Sequence, residues 1–133
     1  MKVLVTGSRD WTVQHVDIIY RELVKLPPGT IVIHGAAPGV DEIAGLIAIE
    51  LGLVVRDYPA RWDVFGRKAA GPIRNRHMFF SEHVVDEPID LVLAFHENIS
   101  KSRGTKDMLT VVRANHVKYE LRDDKGAQYE MSP

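Results

Sequence analysis

Apolar positions along this chain follow two spacings in turn. Short uninterrupted runs, Val3-Leu4-Val5, Ile31-Val32-Ile33, Leu53-Val54-Val55, Ile89 to Phe95 and Val117 to Leu121, alternate with longer stretches of helical periodicity. Runs of this kind read as strands buried on both faces, as in a parallel sheet. The first periodic stretch predicts a helix from about Thr12 to Lys25, with Val13, Val16, Ile19, Tyr20, Leu23 and Val24 on its inner stripe. Asp10 or Thr12 is placed to cap it, and Pro27-Pro28-Gly29 ends it. The second repeats apolar residues at Val40, Ile43, Ala44, Ile47 and Leu51 before Gly52. A third helix is expected to open at Pro72 and run to about His83, and a fourth to run from Gly104 to about Asn115. Ala60 to Gly71 reads as a long loop carrying Arg61, Trp62, Phe65, Arg67 and Lys68. Loops of that length in compact domains tend to be functional. After the turn Asp123 to Gly126, Gln128 to Met131 is expected to fold back as an edge hairpin.

Strands alternating with helices over short connections imply right-handed crossovers. The expected fold is a single Rossmann-like three-layer α/β domain, a parallel sheet of about five strands with helices on both faces. Residues 2–121 form its core and 122–133 a C-terminal hairpin or tail. In such sheets ligands bind beyond the carboxyl ends of the strands, at the switch point in strand order. Topology therefore gathers Gly7-Ser8-Arg9, the turn from Gly35 to Asp41, the Trp62 loop with Arg74 and Arg76, and Arg103-Gly104-Thr105 on one edge.

That edge has the chemistry of a phosphate site. Gly35, Ala36, Ala37 and Gly39 carry almost no side chain and lead into a helix, so backbone amides stand beside a positive helix end. Arg9, Arg74, Arg76 and Arg103 offer planar forks suited to phosphate, and Ser8 and Thr105 offer hydroxyls. Trp62 presents a face on which a base can stack. Asp41 is placed to cap the amides or to accept a ribose hydroxyl. His34, at the end of the second strand, is placed to line the pocket or to be a buried, hydrogen-bonded core residue. Asp41, Asp63 and Asp107 are the carboxylates positioned to act as a base, Asp107 standing on an exposed helical phase.

Composition narrows the classes. A formal net charge of −1 speaks against a general electrostatic grip on nucleic acid, while leaving room for a local basic patch. The absence of cysteine excludes disulfides, thiolate catalysis and cysteine zinc sites, and fits a reducing cytoplasm. The six histidines show no close metal-ligand spacing, so no metal is expected. No stretch has the length or composition of a signal peptide or a membrane span, so the expected location is the cytoplasm and no membrane partner is expected.

Five segments carry a family likeness. Val-Leu-Val-Thr-Gly-Ser-Arg-Asp-Trp at 3–11, His-Gly-Ala-Ala-Pro-Gly-Val-Asp at 34–41, Tyr-Pro-Ala-Arg-Trp at 58–62, Gly-Pro-Ile-Arg-Asn-Arg at 71–76 and Arg-Gly-Thr-Lys-Asp-Met at 103–108 stand in order along the chain. As a set they resemble the YspA-like, YpsA-related branch of the SLOG superfamily. The resemblance implies a Rossmann-like fold and a pocket for a nucleotide or nucleotide derivative such as AMP, NAD or ADP-ribose. It implies a distribution in bacteria and their phages.

The edge and the resemblance together make Gly7, Ser8, Arg9, His34, Gly35, Ala36, Gly39, Val40, Asp41, Trp62, Arg74, Asn75, Arg76, Arg103, Gly104 and Thr105 the expected ligand-binding residues. The resemblance adds no cofactor beyond the nucleotide ligand. The Lonely Guy phosphoribohydrolases, which cleave the N-glycosidic bond of nucleoside monophosphates, are similar at Gly104-Thr105 and Arg76. This chain lacks their Pro-Gly-Gly run, and Met108 stands where they carry glutamate. Asp107 and Arg76 are the catalytic candidates if the chain shares that hydrolysis. A non-catalytic sensor or sequestering protein is the second reading. A single-stranded DNA binder resembling DNA-processing protein A is the third. Related folds often dimerise through helices flanking the site, so a homodimer is also an expectation.

Overall fold

A computed structural model covers residues 1–133. Its elements are β1 (Lys2–Gly7), α1 (Val16–Leu23), β2 (Ile31–His34), α2 (Val40–Glu50), β3 (Val54–Asp57), α3 (Trp62–Phe79), β4 (Leu91–Phe95), α4 (Gly104–Ala114), β5 (Tyr119–Arg122) and β6 (Gln128–Met131). They form one six-stranded sheet in the order β3-β2-β1-β4-β5-β6. The first five strands are parallel and β6 is antiparallel to β5, the expected edge hairpin. Strand order reverses between β1 and β4, which creates the crevice where such folds take ligands.

Alternation along each strand builds the three layers. Val3, Val5, Val32, Leu93 and Phe95 face α1 and α2, packing with Ile19, Leu23, Val40 and Ala44. Leu4, Ile33, Val92 and Ala94 face α3 and α4, packing with Met78, Phe79, Met108, Leu109 and Val112.

Two helices depart from the expected pattern. The chain first turns through a 3-10 segment, Val13–His15, capped by Thr12, whose hydroxyl accepts the Gln14 N–H. The tighter winding takes Val13 out of phase with α1. Val13 is therefore 81% exposed, and only Ile19 and Leu23 of the expected stripe are buried.

The expected loop at Ala60 to Gly71 is largely helical, because α3 starts at Trp62 rather than Pro72. Gly66, at φ 78° and ψ 173°, breaks α3 into an opening turn and a long segment that begins at Arg67. Arg67 to Ala70 are good helix formers and outweigh the loop signal of the flanking glycines. Pro72 lies inside this segment, past its first turn, where the missing N–H removes one hydrogen bond. Beyond Phe79 a widened π-type turn, Phe80–Val85, holds buried Glu82. No helix is long and apolar enough to cross a membrane.

Candidate functional site

A cleft of about 870 Å³ opens at the carboxyl ends of β1 and β4. Its floor is Val5, Thr6 and Gly7 of β1, and its walls are the loop after β1, the start of α3 and the loop leading into α4. The loop after β1 is fixed by its neighbours. The Ser8 N–H donates to the Phe95 carbonyl at 2.9 Å, and the Val40 N–H donates to the Ser8 carbonyl at 3.0 Å. A Cβ at Gly7 would stand 2.5 Å from the Phe95 oxygen, so glycine lets these backbones meet. Gly39, at φ 82°, plays the same part against the Ser8 carbonyl.

The turn from Gly35 to Asp41 spends its amides internally. Asp41 Oδ2 accepts the Gly35 N–H at 3.1 Å and the Ala37 N–H at 3.3 Å, and His34 Nδ1 accepts the Ala36 N–H at 2.9 Å. The amides expected to receive a phosphate thus already have partners. His34 is buried beneath the turn with its Nε2 against Gly45, where a Cβ would stand 2.6 Å away. Burial lowers its pKa. His34, Gly35, Ala36, Gly39 and Val40 shape this turn and stay off the cleft wall, whereas Ala37 and Asp41 reach it.

Asp41 is 5% exposed, and its Oδ1 has no donor within the protein. Burial pushes its carboxyl up to about 6, against the pull of Arg74, the two amides and Arg9. Arg74 is itself tied to the protein. It donates to the carbonyl of Gly35, to Tyr58 O at 3.3 Å and to Asn75 Oδ1 at 2.9 Å. Burial lowers the Arg74 pKa, partly offset by Asp41.

Arg76 and Asp107 face each other instead of the cleft. Arg76 Nη1 meets both Asp107 oxygens at 3.0 and 3.1 Å, and Asn75 Nδ2 donates to Asp107 Oδ2 at 3.0 Å. Together they bind α3 to α4, and neither Arg76 nor Asp107 lines the cleft. Asp107 is half-buried by this contact rather than solvated, as its helical phase had suggested.

Gly7, Ser8, Arg9, Trp62, Arg74, Asn75, Arg103, Gly104 and Thr105 do line it. So do Arg67, Lys68, Lys101, Ser102 and His96, which the sequence reading did not assign to the site. The basic content of the 60–71 stretch was the available signal for Arg67 and Lys68. Their helical placement brings both to the cleft wall.

The charges sort sharply. Arg56, Arg61, Arg76, Arg113 and Arg122 all pair with carboxylates. Arg9, Arg67, Lys68, Lys101 and Arg103, all on the cleft, make no ion pair, and their charged ends donate no hydrogen bond within the protein. Arg9 lies over the Trp62 ring, 5.3 Å from its centroid. At the start of α4 the Ser102 hydroxyl accepts the Thr105 N–H at 3.0 Å and the Lys106 N–H at 3.3 Å. Thr105 is 3% exposed, yet its own hydroxyl has no partner and borders the cleft.

Comparison with known proteins agrees with this architecture. The family model YAcAr (YspA, cpYpsA-related SLOG family) matches residues 1–65. The Gene 61 protein of Mycobacterium phage D29 is 34% identical over 112 residues, covering 79% of this chain and 82% of the phage protein. The chain belongs to the YspA, cpYpsA-related SLOG family. Among solved structures, that of DNA processing protein A from Streptococcus pneumoniae superposes with a TM-score of 0.72 at 18% identity, over 90% of this chain and 49% of that one. The SLOG chain therefore shares that protein's fold while spanning about half its length. Membership supports a function related to nucleotides or nucleic acids in general.

Proposed function

We propose that this protein binds a nucleotide or nucleotide derivative in the cleft between β1 and β4. The observation that carries this reading is the set of unpaired cations on the cleft of a chain whose net charge is −1. Guanidinium groups left without carboxylates around a concave site are suited to phosphate oxygens. The phosphate sits at the start of α4, where Gly104 leaves open space, the Thr105 hydroxyl lacks a partner and Arg103 adjoins. The base stacks on Trp62, which is 40% exposed. Asp41 Oδ1 accepts a ribose hydroxyl, which supplies its missing donor.

If the bound nucleotide is cleaved at its N-glycosidic bond, Asp41 is the buried carboxylate of the cleft that would stabilise the developing sugar cation. Asp107, paired with Arg76, hydrogen-bonded by Asn75 and itself off the cleft wall, is the poorer candidate. A carboxyl with a displaced pKa in a cleft is a recognised mark of function.

Calorimetric titration with AMP, NAD and ADP-ribose, each mixture then resolved by HPLC, tests the reading. Binding without new peaks makes the protein a sensor or sequestering module. Binding with release of base makes it a glycosidic hydrolase, with turnover lost in Asp41→Asn. Absence of binding to all three overturns the proposal. Affinity for single-stranded DNA falling steeply with salt then becomes the property to measure.

A further inference from the structure

The cleft holds more positive charge than one phosphate needs, and that charge comes in two groups on separate elements. Lys101 and Arg103 stand at the entry to α4. Arg67 and Lys68 stand on α3, the helix that Trp62 opens. Arg9 lies over that same tryptophan. The kink at Gly66 has a consequence for the second group. Because the helix restarts there, Arg67 and Lys68 open a helical segment reaching Phe79. The first residues of a helix carry amides without intrahelical partners. Each cation group therefore coincides with the positive end of a helix.

Asp41 and Asp10 are the only carboxylates on the wall, and the unpaired cations outnumber them. The cleft's volume also lies toward the upper end of the ~300–1,000 Å³ typical of small-molecule sites. A single phosphate of at most two negative charges at the α4 seat would leave Arg67 and Lys68 unmatched.

We infer that the cleft has a second phosphate seat, formed by Arg67 and Lys68 at the restart of α3, so that its ligand is a nucleotide carrying a diphosphate rather than a nucleoside monophosphate. This rests on the nucleotide reading and specifies it. One phosphate occupies Gly104-Thr105 with Arg103, and the other is held by Arg67 and Lys68. Trp62 stands on the same helix as this second seat and carries Arg9 of the loop after β1 over its ring.

The test compares AMP with ADP by calorimetry on the wild-type protein and on the Arg67→Ala/Lys68→Ala double variant. Both side chains are exposed, and thermal melting checks that the variant folds. The expected result is that wild type binds ADP at least about tenfold more tightly than AMP. The double variant loses that preference, because it weakens ADP by a larger factor than AMP. Equal affinity of wild type for AMP and ADP overturns the second seat but leaves the nucleotide cleft standing. So does a double variant that weakens both ligands by one factor, since that is a general field effect. No binding of either nucleotide to wild type overturns the seat and the cleft reading together.

Discussion

The guanidinium of Arg9, on the loop after β1, lies 5.3 Å from the centroid of the Trp62 ring at the start of α3. The contact spans two walls of the cleft and holds an aromatic face beside an unpaired cation. Trp62→Ala is expected to weaken nucleotide binding by about tenfold or more, the usual worth of a stacked base. Trp11, the other tryptophan, is 4% exposed and hydrogen-bonded to Glu97 at 2.8 Å. Ligand-dependent quenching of fluorescence is therefore expected from Trp62 and should vanish in Trp62→Phe. Quenching that survives this change would locate the ligand elsewhere.

Asp41 makes stability depend on pH. Its carboxyl is pushed from 3.8 up to about 6, so the folded chain holds a proton that the unfolded chain has lost across that window. Stability is greatest below about pH 4 for this group and falls as pH rises through about 6. The shift corresponds to about 3 kcal/mol at neutral pH. Asp41→Asn keeps an oxygen for the Gly35 and Ala37 amides and removes the buried charge. Urea unfolding at pH 4 to 7 should show a flatter profile in the variant and no loss of stability at pH 7.

Much of this was legible in the sequence, for definite reasons. The strand runs and turn glycines located β1, β2 and β4 and placed the cleft at the carboxyl edge of the sheet, because parallel strands buried on both faces leave a continuous apolar run. Gly7, Arg9, Trp62 and Gly104 line that cleft. The Gly35 to Asp41 turn was harder. Whether its amides face a ligand or its own Asp41 and His34 depends on side-chain rotamers that spacing does not encode. The pairing of Arg76 with Asp107 joins residues 31 apart on two helices, so helical phase alone suggested exposure. The start of α3 was hidden because Gly66 and Pro72 carry loop signals, although the intervening residues favour helix.

A buried ionic cluster off the cleft wall should be sensitive to the loss of one partner. Lys2 Nζ meets Glu82 Oε1 at 2.9 Å with both side chains nearly inaccessible, and Tyr58 and Arg56 complete the Glu82 carboxylate at 2.6 and 2.7 Å. Lys2→Met leaves Glu82 with only part of its compensation. A loss of about 3 kcal/mol is expected in denaturant unfolding, at the lower end for a broken buried pair. Nucleotide affinity should be unchanged wherever the variant is folded.

The cleft cations have the opposite signature. They make no ion pair within the protein, so Arg103→Ala should leave the unliganded protein as stable as wild type or slightly more so. The rise in Tm that saturating nucleotide confers on wild type should shrink in the variant, because that rise follows ligand affinity. A variant whose unliganded Tm drops sharply would mean that Arg103 holds the fold rather than the ligand.

The most direct measurement of the central claim is a 1H–15N correlation spectrum recorded during titration with ADP. The account predicts shifts concentrated at Gly7 to Asp10, from Trp62 through Asn75, and at Lys101 to Thr105, with the Trp62 indole among the largest. Resonances that do not move, or shifts confined to α1 and the β6 edge, would contradict it.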